Sequence, residues 1–600
     1  MKKIMTATIN PDNPATFSIL TNGNPIPDQF SVFSVTTQQG VNRIATAKIV
    51  ILDGDANTGT FEVSSSALFV PGNTITVQVG YDNNNQTIFT GIVTRQTIRI
   101  DSLIGSALEV ECHDESIRMT VGRKNKSFTN QKDSDVIASI IGTYPNLLQN
   151  VTDTTVTIPT QLQYYVTDWD FITSLAENNG LIITTLQNKI SVFRPDADPA
   201  SALKVTYGDN LIEFNANLDA ISQLGSVKAN AWDFTTQSII SGQGISSYSG
   251  PGNLSPKHLS EVIGLSDFTL QTPAPLHSDS LNNWSNAQQK KSEYGKIQGE
   301  VKFQGTSLAV PGKYITMAGL GDRFNGDYII SSVEHNISLG TWDTTVNLGM
   351  PSSWFVEDKN ISAPPASGLT TGINGLFTGT VINMHQDPDS QYRIQVSIAI
   401  AGNETVVWAR LASLYATNGA GTFFLPEVGD EVVMGFLNDD ARYPVILGSL
   451  YSSSANKPFT GLTPSEKNPI KAIVSKSGIN IQFDDENKIC TVTTPSKNTV
   501  VLSDKDKQIT LQDQNNNSIT MSDSGITIKS PKNISIEADQ NISIKGTQGV
   551  KTTSSGGDIQ TSGMNIKHNA QTEYTAQGSV TAKVTAGAQL TLKGAIVMIN

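Results

Sequence analysis

Few residues in this 600-residue chain stand at spacings that could do chemistry. Cys112-His113-Asp114-Glu115 sets four ligand-type side chains in a row. A metal needs several ligands on one side, and strand alternation sends neighbours to opposite faces. The run therefore reads as a structural strand end. Gly319-Leu320-Gly321 with Gly326 has the glycines of a turn pair but not the spacing of a phosphate loop. Arg123-Lys124-Asn125-Lys126 reads as a short solvated basic loop. No H-E-x-x-H, G-x-S-x-G or G-x-x-x-x-G-K-S/T occurs. The expectation is a chain that is not an enzyme, with no catalytic residue, no cofactor and no resident metal.

The elements that position side chains here are strands, and the most telling ones repeat. Asn533 to Gln548 reads NISIEADQNISIKGTQ, one octad said twice. Stepping by eight from Ile526 meets Ile534, Ile542, Val550, Asp558, Ile566, Tyr574, Ala582, Leu590 and Met598. Two residues later lie Ile528, Ile536, Ile544, Thr552, Gln560, His568, Ala576, Val584 and Leu592. The register is clean at both ends and weak around Asp558 and Gln560. Upstream the spacing comes in pieces, such as Ile481 with Ile489, and slips at Asn515-Asn516-Asn517. Each apolar-x-apolar triplet puts two side chains on one face of a short strand, and the polar remainder makes a corner.

One copy cannot hold such a segment. Two buried isoleucines contribute roughly 3–6 kcal/mol, while fixing eight backbones costs about 8–16 kcal/mol. Three chains wound into a closed β-prism bury both triplet positions and leave no free side edges. The expected trimer core is Ile526, Ile528, Ile534, Ile536, Ile542, Ile544, Ile566, Val584, Leu590 and Leu592. His568 falls at an inward position, so three imidazoles could hold an axial ion or waters; the alternative is a slipped register in this weak stretch, with His568 facing solvent. Ile596, Val597, Met598, Ile599 and Asn600 form an apolar blunt end, and a capping partner is expected there.

Composition bounds the rest. The net charge of −13 argues against nucleic-acid or anionic-membrane partners. Cys112 and Cys490 imply no disulfide framework and read as buried thiols. MKKIMTATINPDNPATFS has no apolar core of a Sec signal peptide, and no run approaches a membrane span. Assembly in the cytoplasm and export by another route are expected.

The chain reads as mainly β in five parts. Residues 1–362 alternate as strands, as in ITVQVGY and LEVECHDE, around one helical interval, TDWDFITSLAENN. There Thr167 or Asp168 would cap the helix, Gly180 would stop it, and Trp169, Ile172, Leu175 and Ala176 would face the core. Residues 363–370 read as a linker. Residues 371–452 carry five strands, enough for an oligonucleotide/oligosaccharide-binding (OB) type barrel. Residues 453–475 read as a polar linker, and 476–600 as the trimeric β-helix.

Three segments carry a resemblance. FFLPEVGDEVVMGFLNDDARYPVILGSLY, Phe423 to Tyr451, resembles the barrel of VgrG-type spike proteins. Tyr164 to Pro195 and Val310 to His335 are similar to the hub of the same family, and the order hub, barrel, octads matches. The resemblance implies a homotrimeric central spike of a contractile injection system, whether type VI secretion, extracellular injection particle or phage tail. It implies a hub of tube-like β-barrel domains docked on an Hcp-like inner tube protein and surrounded by baseplate proteins. It also implies an OB-fold collar, a needle capped by a PAAR-type tip protein, and effectors among the partners. On this reading the chain carries no fused effector or lysozyme domain and works mechanically, piercing the target envelope. The alternative is a trimeric tailspike that binds or degrades surface polysaccharide.

Overall fold

The computed structural model describes residues 5–6, 13–102, 105–245, 248–265, 267–358, 360–398, 401, 405–460, 462 and 464–599. Most of the opening stretch on which the signal-peptide reading rests lies outside the described residues, as does Asn600. The chain forms two compact units, Met1–Leu450 and Tyr451–Asn600.

Period-two alternation builds the first unit. In Thr74–Tyr81 the side chains of Ile75, Val77 and Val79 are fully buried, and Ile49 and Ile51 do the same in Thr46–Leu52. Such strands join into one branched fourteen-stranded sheet. Its spine is Gly326–Ser338, which pairs with Tyr314–Ala318, Val32–Gly40 and Thr341–Leu348. Two hydrophobic cores lie along this sheet. One gathers Ile49, Val77, Phe89 and Val110, the other Val301, Phe303, Ile315 and Val346.

A third core lies under the helical interval. The helix spans Asp168–Asn178, and Thr167 Oγ1 accepts from the Asp170 amide at 3.1 Å. Gly180 follows with φ +67, and Trp169, Ile172, Leu175 and Ala176 are buried, as the stripe predicts. This helix packs with Asp133–Ile141 over the small sheet of Leu148–Val151, Lys189–Phe193 and Ile182–Leu186.

One buried polar cluster in the first unit is expected to give its stability a pH dependence. Gly305 has no side chain because a Cβ there would lie 2.1 Å from the Trp342 ring. That ring donates from Nε1 to His335 Nδ1 at 3.3 Å, and Thr344 Oγ1 lies 3.0 Å from the same nitrogen. Burial pushes the His335 pKa down to about 4, so it is neutral at pH 7. The unfolded chain binds this proton near 6.5, so stability is full above that pH and falls as pH drops towards 4. The full loss is about 3 kcal/mol. Urea unfolding of the full chain is expected to show this slope in the native sequence and to lose it in His335→Gln.

Residues 377–449 close a five-stranded barrel in the order Phe377–Asn383, Ile394–Ser397, Val406–Leu411, Pro444–Ser449, Glu431–Phe436. Val381, Val396, Ala409, Val432 and Ile446 fill it. The turn after its first strand is fixed by Arg393, whose guanidinium bonds Asp387 Oδ1 at 2.6 Å and also reaches Asp389. That bond holds the Asp387 carboxyl well below the usual range.

The second unit departs from an unbroken octad helix. Its first part is a seven-stranded antiparallel meander whose strands begin at 470, 480, 489, 499, 508, 518 and 525. The first strand, Ile470–Val474, lies inside the stretch expected as linker. The cause is turn chemistry. Lys488, Lys497, Lys507 and Asn516 take positive φ, and Asp513 Oδ1 accepts from the Asn515 and Asn517 amides. These polar connections reverse the chain as hairpins instead of turning a corner. From Pro531 onward the octads are visible. The backbone bends at 531–532, 539–540, 547–548, 555–557, 564, 571–572, 579–580, 587–588 and 595–596. The spacing of about eight persists through the stretch where the apolar register fades.

Candidate assembly surfaces

Cross-strand register sorts the meander into two unlike faces. Ile473, Ile481, Val492, Val500, Leu511, Ile519 and Ile528 stand directly opposite one another from strand to strand. A second row runs Phe483, Cys490, Leu502, Ile509, Met521 and Ile526. The reverse face carries Ala472, Gln482, Thr491, Val501, Thr510, Thr520 and Thr527. One face of a single-layer sheet is thus apolar over six hairpins. A groove of about 620 Å³ follows its first row from Val492 to Ile528 and on to Ile534. In one protomer this face is open, with Leu511 40% and Met521 41% exposed.

The octad positions show the same incompleteness. Ile526, Ile528, Ile534, Ile536, Ile542, Ile544, Ile566, Val584, Leu590 and Leu592 are all exposed in the single chain. So are Ile596, Val597, Met598 and Ile599. Intrachain packing brings none of these into a core, because two apolar residues per octad cannot form one alone. His568 is exposed and its ring lies 5.9 Å from that of Tyr574.

A further set of contacts, missed by the sequence reading, pins the segment between hub and barrel. The Glu177 carboxylate, at the C-terminal end of its helix, is ion-paired with Lys291, and both are largely buried. Its other oxygen accepts from the Phe355 amide at 2.6 Å. Lys291 Nζ also lies 5.1 Å over the Trp354 ring, whose Nε1 donates to Gln288 Oε1 at 2.5 Å. Further along, Arg123 donates to the carbonyls of Asn360, Ile361, Ser362 and Tyr165 at 2.7, 3.3, 2.9 and 2.9 Å. Arg123 is therefore not a solvated loop residue but a clamp on the strap 360–362. Nothing in the sequence pattern could reveal this, since its acceptors are main-chain oxygens. Arg123→Ala is expected to raise trypsin cleavage within 351–369 about tenfold, the effect of losing charge-assisted bonds worth about 1.5 kcal/mol. The hub melting temperature should move little.

Comparison with known proteins places these surfaces. Residues 377–451 match the type VI secretion system/phage-baseplate injector OB domain, and residues 489–551 match the phage baseplate V C-terminal trimerisation domain. Residues 11–338, more than half of the chain, match the Alg8 N-terminal domain. The chain belongs to the Alg8 N-terminal domain family. The injector barrel and the trimerisation segment follow it in that order, and these two segments are like those of VgrG-type spike proteins. Among curated proteins it is similar to the type VI secretion system spike protein VgrG1a of Pseudomonas aeruginosa. The two are 27% identical over 78 residues, 13% of this chain and 12% of that one. The match thus spans only about an eighth of that relative. Among solved structures it is similar to the 43 kDa tail protein of prophage MuSo2 from Shewanella oneidensis. There the TM-score is 0.42 and the identity 11%, over 56% of this chain and 99% of that one. It is also similar to an E. coli type VI secretion component likened to phage T4 tail proteins. That likeness has a TM-score of 0.38 and 14% identity, over 72% of this chain and 99% of that one.

The chemistry-bearing residues that the sequence singles out are placed as follows. Cys112 is buried, and burial pushes its thiol up to about 12. His113 Nδ1 lies 2.7 Å from Thr94 Oγ1. Asp114 accepts from the Ser116 and Asn188 amides at 2.9 and 2.8 Å. Cys490, half-buried, sits in the second apolar row. Among the described residues, no three His, Cys, Asp or Glu side chains group as a metal site, and no helix is long and apolar enough to cross a membrane.

Proposed function

We propose that three copies of this chain form the spike at the tip of a contractile injection machine. The observation that carries the reading is the two-row apolar face of the meander, lying largely within the segment that matches a trimerisation domain. Three such faces turned inward give a dry core with the threonine faces outside. The same three-fold axis would gather the octad isoleucines, from Ile526 to Leu592. Ile596–Ile599 would offer the apolar seat of a PAAR-type cap. The hub would dock on an Hcp-like tube and contact baseplate proteins, with effectors carried on the assembly. No turnover is required of it. The demand is mechanical, and interwound chains meet it through a high unfolding barrier, a kinetic rather than an equilibrium property. On contraction of the machine, the spike would breach the target envelope.

Light scattering of the full chain and of a chain ending before Ile470 tests this. The full chain should have three times the protomer mass, and the shortened chain should lose the trimer. A monomeric full chain would overturn the reading.

A further inference from the structure

The barrel carries a feature that its own fold does not use. After Val406–Leu411 the chain leaves as a hairpin finger, residues 413–424. Its two short strands, Ala416–Thr417 and Ala420–Gly421, turn at Asn418-Gly419, where Gly419 has φ +77. The base is stapled: Ser413 Oγ donates to the Thr422 carbonyl at 2.9 Å, and the Thr422 amide donates to the Tyr415 carbonyl at 2.9 Å. The finger is thus held in shape, yet it displays large apolar side chains. Leu414 is 98% exposed, Phe423 71% and Phe424 69%. A stapled apolar finger in water is an aggregation hazard unless something covers it.

A receiving surface lies on the outside of the same barrel. Across Glu431–Phe436 and Pro444–Ser449, Val433 stands opposite Gly448 and Gly435 opposite Val445. The register slips between these pairs, so Leu447 bulges outward and is 53% exposed. Gly448 has no left-handed backbone angle, and a Cβ built on it meets no atom of the chain within 4 Å. Neither a left-handed angle nor intrachain crowding therefore requires a glycine here. Gly435 is nearly as open, its Cβ position meeting only the Leu376 side chain, at 3.3 Å. A glycine inside a strand marks a bulge or a place where another backbone approaches; the bulge at Leu447 adjoins Gly448, and the free space over both glycines leaves room for another backbone.

We infer that the finger of one protomer packs on the Gly435–Gly448 shelf of the next. Finger and shelf are different surfaces, so the contact is heterologous, and around a three-fold axis it closes into a ring without free ends. The occupant is a second copy because the chain carries its own trimerisation segment from residue 489. Copies tethered by such a segment meet at about millimolar effective concentration, so a weak apolar contact is enough. The inference rests on the trimer reading and adds a second ring of contacts at the collar.

The test uses the full chain carrying Cys490→Ser, with Asn418→Cys at the finger tip, away from its own shelf, and Leu447→Cys together, treated with a short bismaleimide. Covalent trimer on a denaturing gel is expected, and single-cysteine controls should give none. Adding Gly448→Val should cut the cross-linked fraction about tenfold, since the new side chain fits its own barrel but fills the shelf. Light scattering of the same samples separates the two ideas. A trimer that does not cross-link overturns the finger contact and leaves the spike reading standing. A monomer overturns both.

Discussion

Leu511→Asp is expected to leave the full chain monomeric at micromolar concentration, while Thr510→Asp next to it leaves the trimer intact. Leu511 stands mid-sheet in the first apolar row, between Val500 and Ile519. Thr510 stands in the threonine row on the other face, between Val501 and Thr520. In one protomer Leu511 is already 40% exposed, so the new carboxylate costs the isolated sheet little. In the trimer it would place three carboxylates in a dry core. Each buried, unpaired charge costs several kcal/mol, and the three also repel one another. Light scattering of the two variants decides the matter. If both remain trimeric, the apolar face is not the interface. If both become monomeric, the damage is general.

Adjacent positions can be set against each other in this way because strand period, unlike fold, is readable in sequence. The helix at 168–178 was readable for the same reason: Thr167, the apolar stripe and Gly180 are local signals. So were the five barrel strands and the octads from Pro531 onward. The meander was not. Its strands start nine or ten residues apart, and the last seven, close enough to eight to mimic slipped octads. What distinguishes them is the positive φ at Lys488, Lys497 and Lys507, and lysine carries no sign of that conformation. Arg123 was illegible for a different reason. Its strap lies more than 230 residues away in sequence, and carbonyl acceptors belong to every residue. The finger is a middle case. LASLYATNGAGTFF spells a turn, but only the folded barrel shows that Leu414 and Phe424 have nothing over them. Local chemistry was legible and long-range chemistry was not, so the surfaces that join copies had to be seen as uncovered faces.

Ile536→Asp tests the octads as Leu511→Asp tests the sheet. Ile536 lies between the bends at 531–532 and 539–540 and is 67% exposed in one chain. No intrachain core depends on it, so the monomer should be unaffected. In a three-fold prism the substitution would put three carboxylates together on a dry axis, several kcal/mol each, in a segment with only two apolar residues per octad to offset them. Assembly of the full chain should fail. Glu537→Ala, one residue on and outward in the expected register, should still assemble and resist heating in detergent. A normal, heat-resistant trimer from Ile536→Asp would show that the inward register is wrong, even if the sheet above is the trimer interface. The converse pair of results, Leu511→Asp trimeric and Ile536→Asp monomeric, would move the whole trimer contact into the octads. The two substitutions together therefore locate where along the second unit the three chains hold one another.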